Sequence, residues 1–173
     1  MLLKDSSFIE KLQYYPLICG IIMGIMQMMP EMQQRRLKLT LHLPYNQNGM
    51  VGLMIGYGLL ALIVIFGIQL LAIAIYYSTL LASEMTVRVV LTALPWYICG
   101  LNAYLFTAAA CLESGWRLRV IIAMVGVAIT ALFFLQDTSE AYNSVLWIMI
   151  VFVLAASLLS FYSIYRFKEG RQD

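Results

Sequence analysis

The stretch MVGLMIGYGLLALIVIFGIQLLAIAIY, residues 50–76, decides the fold because it contains no charged side chain. A helix needs about 20 mostly apolar residues to cross the hydrocarbon core of a bilayer. Each central apolar residue favours insertion by a few tenths of a kcal/mol, whereas a central Arg or Asp costs about 2.5–3.5 kcal/mol. This stretch therefore predicts a membrane-spanning helix.

Four further segments have the same character, namely residues 13–30, 89–111, 120–136 and 145–165. Apolar residues make up 62% of the chain and charged residues only 12%, where a soluble domain carries about a quarter charged. So few charges could not coat a water-exposed surface. The sequence predicts an all-α integral membrane protein, one domain over residues 1–173, with five transmembrane helices.

The basic residues predict the orientation, because cytoplasmic loops carry an excess of Lys and Arg. Eight of the 11 lie on one side of the predicted bundle: Arg35, Arg36, Lys38, Arg117, Arg119, Arg166, Lys168 and Arg171. The other side holds Lys4, Lys11 and Arg88. We therefore expect a multi-pass protein of the bacterial inner (plasma) membrane, with the N-terminus outside and the C-terminus in the cytoplasm. The net charge of +2 is too small to favour a nucleic-acid partner.

The sequence lacks the residues of most membrane chemistry. No charged residue or histidine lies in the middle of a predicted span, whereas proton relays and ion-coupled carriers use such residues. His42 has no metal-spaced partner, and there is no glycine-rich phosphate loop. The cysteines, Cys19, Cys99 and Cys111, have neither disulfide nor zinc spacing. We expect no catalytic residues, no cofactor and no metal, hence no enzyme.

Five methionines near the end of the first span leave one metal alternative open, since thioethers suit Cu(I). They are Met23, Met26, Met28, Met29 and Met32. On a helix, Met28 and Met32 share a face while Met26 and Met29 point elsewhere. Methionine is also a common gap-filler in helix packing. A copper-binding membrane protein remains an alternative function.

Three amides lie at membrane depth: Gln27, Gln69 and Asn102. Such residues form hydrogen bonds between helices or line a substrate path, and the sequence leaves both roles open. The glycine pairs Gly20/Gly24 and Gly52/Gly56 have the small-xxx-small spacing of close helix contacts, which also arises by chance.

The segment EMQQRRLKLTLHLP, residues 31–44, connects the first two spans. Basic residues at a membrane edge are explained by topology alone, but leucines in a cytoplasmic loop are not. Leucine occupies positions 37, 39, 41 and 43. Exposed apolar side chains in such a loop favour docking on a partner protein.

This loop resembles the first cytoplasmic loop of exporter-type (type-two) ABC transporter permeases. The matching residues are Glu31, Arg35, Arg36, Leu41, Leu43 and Pro44. Residues 160–170 are also similar to the end of such permeases. The resemblance implies a loop that couples to a separate ABC ATPase subunit, a second permease copy or similar permease as partner, and a hydrophobic or amphipathic substrate. ATP hydrolysis would occur on the partner.

The chain departs from the family in two respects. It resembles spans two to six, while the first span and the amphipathic N-terminal segment have no counterpart. Residues 37–43 also alternate with a period of two, which is typical of an extended segment, whereas the family has a short helix there. Residues 31–38 are good helix formers, which favours the helix.

The alternative to a transporter, from another functional class, is a non-transporting membrane assembly subunit of a larger complex.

Overall fold

The computed structural model describes residues 12–33, 47–80, 82–113, 115–135 and 145–168. These ranges contain five α-helices and no strand, which confirms the all-α, five-helix prediction. The helices are α1 (Tyr15–Gln33), α2 (Gln47–Leu80), α3 (Ser83–Leu112), α4 (Trp116–Leu132) and α5 (Leu146–Lys168).

Two helices of the described part are long and apolar enough to cross a membrane. They are the 29 residues Gly52–Leu80 of α2 and the 30 residues of α3. The apolar parts of α1 and α5 are shorter, Tyr15–Pro30 and Leu146–Leu158. With 17 residues, α4 is at the lower limit of about 17 for a span.

Three helix ends differ from the predicted ones. α1 continues past Pro30 to Gln33, and α3 begins at Ser83, six residues before the predicted start at residue 89. Glu84 in the first turn of α3 suits the positive end of the helix dipole, which explains the early start. α4 ends at Leu132, four residues early, because Phe133 and Phe134 donate to Thr130 and Ala131 in a tighter turn.

α3 is the central helix. It contacts each of the other four, α1 and α5 most extensively, and 15 of its 30 residues are buried. α2 is the opposite case, because most of its large apolar side chains are exposed: Leu53, Tyr57, Leu60, Ile63, Val64, Ile65, Ile68, Leu71, Ile75, Tyr76 and Leu80.

Glycine permits the close approach of α1 to α3. A Cβ on Gly20 would overlap the carbonyl group of Gly100, and one on Gly24 would lie 2.9 Å from Cβ of Thr107. Small residues such as glycine let two helix backbones approach this closely. Of the two glycine pairs left open by the sequence, Gly20/Gly24 therefore forms a packing face, while Gly56 faces open space.

The same contacts set the relative direction of the helices. Gly20 meets Gly100, and Gly24 meets Tyr104 and Thr107, so α1 and α3 run parallel. The C-terminal end of α1 thus lies beside the C-terminal end of α3, where the chain turns into α4.

Candidate functional site

An open groove of about 850 Å³ runs between α1 and α4 over α3. α3 forms its floor, and α1 and α4 form its walls. The residues that line it are Leu17, Ile21, Ile25, Met29, Ala103, Phe106, Thr107, Ala110, Cys111, Arg119, Ala123, Gly126, Val127 and Thr130.

The groove exists because both walls are anchored on α3 while making almost no contact with each other in the described part of the chain. α1 is held by its glycine contacts. α4 is held where Gly126 meets Phe106, since a Cβ on Gly126 would lie 2.9 Å from Cβ of Phe106. Ala103 and Ala110 of α3 have short side chains, which leave space above the helix between the two walls.

An aromatic pair bridges the walls at one end. Tyr14, directly before α1, stacks on Phe134, just after α4, with ring centroids 5.3 Å apart and an interplanar angle of 19°. Leu17 and Thr130 are the lining residues nearest to this pair in sequence. Offset ring stacking adds about 0.5–1.5 kcal/mol beyond area burial. The pair therefore holds the two walls together at this end, which we call the tied end of the groove.

Arg119 lies at the opposite end of the groove, near Cys111. Its Nη2 donates to the backbone carbonyl oxygen of Glu113 at 2.7 Å. Its Nε is buried without a hydrogen-bond partner in the described structure. Because Arg119 is the one charged side chain among the described lining residues, the groove combines apolar walls with a cationic end.

The two threonines of the lining are already hydrogen-bonded. The hydroxyl of Thr107 donates to the carbonyl oxygen of Ala103, and that of Thr130 donates to Gly126, each at 2.7 Å. Such back-bonding within a helix hides the hydroxyl from the surroundings. The walls therefore offer hydrocarbon contact almost throughout.

Glu113, which is not part of the lining but bonds Arg119 through its backbone, is a buried carboxylate that the sequence did not predict. Only 1% of its surface is exposed, and its Oε1 accepts a bond of 3.5 Å from the backbone N–H of Gly115. Arg117 of the same turn is exposed, whereas Arg119 folds back on Glu113. A Glu-Ser-Gly stretch between apolar segments is typical of a solvent-exposed loop, so no sequence signal marked the buried carboxylate.

The three amides predicted from the sequence do not line this groove. The Nε2 of Gln27 donates to the carbonyl oxygen of Met54 at 2.6 Å. The buried Oε1 of Gln69 has no hydrogen-bond partner in the described residues. The same is true of Oδ1 and Nδ2 of the fully buried Asn102. Gln27 thus bonds between helices, and a substrate path lined by the three stays a prediction.

A second residue missed by the sequence, Tyr104, completes the Gln27 site. Its hydroxyl lies 2.9 Å from Oε1 of Gln27 and 3.2 Å from the carbonyl oxygen of Ile55, so one proton is shared between two acceptors. A Cβ on Gly58 would overlap both Gln27 and Tyr104. The cluster joins α1, α2 and α3 through side chains that lie 77 residues apart in sequence.

The predicted coupling loop lies largely outside the described residues. Glu31 falls inside α1, and its side chain is not described. Arg35, Arg36, Leu41, Leu43 and Pro44 lie in the undescribed range 34–46.

The methionines of α1 occupy different environments. Met28 is fully buried, whereas Met26 and Met29 are exposed by 71% and 49%. Among the described residues, there is no group of three His, Cys, Asp or Glu side chains that could hold a metal ion. This arrangement does not favour a single copper site shared by these methionines.

Comparison of the chain with protein-family models, with curated proteins and with solved structures finds no match.

Proposed function

We propose that this chain is the membrane-spanning permease subunit of an ABC exporter and moves a hydrophobic or amphipathic substrate. The open groove between α1 and α4 is the observation that carries the proposal. Ligand sites typically have volumes of about 300–1,000 Å³ and mostly apolar linings, and the groove has both properties. It opens along the side of the bundle, which suits a molecule that arrives from the lipid phase.

In this proposal all five helices cross the bacterial inner membrane, with the N-terminus outside and the C-terminus in the cytoplasm. The turn between α3 and α4, with Arg117 and Arg119, is then cytoplasmic, as is the loop after α1. Two helices of spanning length and the exposed apolar faces of the others support this placement. Exposed hydrocarbon of this extent requires lipid or protein as its surroundings.

Energy would come from a separate ABC ATPase subunit docked on the loop 31–44. The leucine spacing and the match at Glu31, Arg35, Arg36, Leu41, Leu43 and Pro44 support that partner. The chain would work beside a second permease copy or a similar permease, because a lateral groove does not enclose a conduit alone.

The long exposed face of α2 favours a second candidate, a non-transporting membrane assembly subunit. Side chains such as Leu60 and Ile68 are more than 60% exposed along this helix. A face of this length could hold neighbouring subunits of a larger complex. The two candidates differ in whether an ATPase binds the loop.

The test replaces Leu41 and Leu43 by Asp in the full chain. Charges placed in an apolar docking contact cost several kcal/mol, so we expect the double variant to lose its ATPase during mild purification. Arg35→Ala and Arg36→Ala should have smaller effects, because charges at a contact rim mainly tune association. Continued protection of the buried Cys99 thiol in the purified double variant controls for folding.

Two results would contradict the proposal. One is a wild-type particle that purifies without any ABC ATPase, identified by mass. The other is a Leu41→Asp/Leu43→Asp variant that keeps its ATPase and still transports, because the loop would then serve only as a topology anchor.

A further inference from the structure

We propose that the groove between α1 and α4 binds a long-chain fatty acid, with the acyl chain along the walls and the carboxylate at Arg119. This inference deepens the proposed function by naming the substrate class of the same groove. It depends on the geometry of that groove, on the single charged side chain of its lining and on the small number of free hydrogen-bonding groups there.

The shape of the groove suits an extended chain. On α1 the lining extends from Leu17 to Met29, which corresponds to about 18 Å at 1.5 Å per residue. Over the same 18 Å, a helix about 10 Å across occupies roughly 1,400 Å³, more than the 850 Å³ of the groove. An acyl chain fits inside these walls, whereas a neighbouring helix would stand partly outside them.

The charge at one end selects an anionic headgroup. The guanidinium of Arg119 bonds a backbone carbonyl rather than a carboxylate among the described residues. Its buried Nε still lacks an acceptor within the described structure. Arg pairs with carboxylates through short, charge-assisted hydrogen bonds, and a ligand carboxylate would supply the missing acceptor.

The lining also favours a headgroup that needs few hydrogen bonds. Both lining threonines already donate to their own helices, so the described lining offers few polar contacts to a glycerol, sugar or phosphodiester. A carboxylate needs only the arginine. Because the tied end at Tyr14 and Phe134 lies far from Arg119, the methyl end of the chain would point towards the aromatic pair.

The test measures saturable binding of radiolabelled palmitate to the purified full chain in a neutral detergent, without ATPase. Arg119→Gln should weaken palmitate binding about tenfold or more, as expected for one lost charge-assisted bond. Arg119→Lys should retain part of the affinity, and Arg117→Gln, an exposed arginine of the same turn, should change it by less than about twofold. Hexadecanol, which has the same chain length but no charge, should compete weakly.

A second pair of variants tests the walls without touching the arginine. Val127→Trp places a large ring in the groove and should abolish binding. Met124→Trp serves as the matched control, because Met124 is similarly exposed on α4 but lies outside the lining. It should bind palmitate as the wild type does.

Equal binding of palmitate and hexadecanol, or an unchanged affinity in Arg119→Gln, would overturn the inference. So would full binding in Val127→Trp, or stronger competition by phosphatidylglycerol than by oleate. Co-purification of another protein lost in Val127→Trp, without palmitate binding in the wild type, would instead assign the groove to a partner helix and also overturn it. Palmitate binding with the expected pattern would support the inference even if no ATPase were found, so the two proposals fail separately.

Discussion

Two buried tyrosines of α3 offer a matched pair of substitutions, Tyr104→Phe and Tyr97→Phe. The hydroxyl of Tyr104 bonds Gln27 and lies near the Ile55 carbonyl, whereas the buried hydroxyl of Tyr97 has no partner in the described structure. A buried group left without its partner costs about 1–3 kcal/mol, and hydrogen bonds between membrane helices average about 0.6 and reach about 1.7 kcal/mol. We expect Tyr104→Phe to lower the free energy of unfolding by about 1–1.5 kcal/mol and Tyr97→Phe to leave it unchanged or raise it.

Thermal unfolding in a neutral detergent provides the assay, with labelling of the fully buried Cys99 thiol as readout. The background would carry Cys19→Ala and Cys111→Ala, because these thiols are only partly buried. At about 2–4 °C per kcal/mol for a chain of this size, Tyr104→Phe should lower Tm by about 2–6 °C. A double-mutant cycle with Gln27→Leu should give a coupling energy of about 1 kcal/mol. Equal Tm values for the two Phe variants, or no coupling to Gln27, would refute the assigned hydrogen bonds.

Two further predictions concern the packing of α3. Gly20→Ala should destabilise the protein by about 1–3 kcal/mol, because the added Cβ would overlap Gly100. Gly56→Ala, whose Cβ would lie in open space, should be neutral or stabilise the protein by up to about 1 kcal/mol. Equal effects of the two substitutions in a thermal melt would contradict the close approach of α1 and α3. Asn102→Leu should not lower Tm, because it removes two buried polar atoms without partners in the described residues, whereas a clear loss of stability would reveal a partner for that amide.

Helix number and approximate position could be predicted because they depend on the length and apolarity of local segments. Residues 50–76 lie within α2 for this reason. Helix ends depended on shorter-range effects that outweighed the apolar pattern. Glu84 favours an early start of α3, and good helix formers carry α1 past Pro30.

The candidate site was far less predictable, because its parts are set by tertiary packing. Gln27 was recognised as a polar residue at membrane depth, but nothing local indicates that its partner is Tyr104. Arg119 counted only as a topology charge, since the direction of a long side chain is decided by the backbone it meets, here that of Glu113. The groove itself follows from Gly20 and Gly126 holding two helices on a third, a relation between residues far apart in sequence.

Paired topology reporters test most directly whether the helices form the proposed membrane bundle with a cytoplasmic C-terminus. One reporter is active only in the cytoplasm and the other only outside, and each is fused after Asp173, within residues 46–49 and within residues 137–142. We expect cytoplasmic activity at the first two positions and external activity at the third. The reverse pattern, or cytoplasmic activity at all three positions, would contradict it.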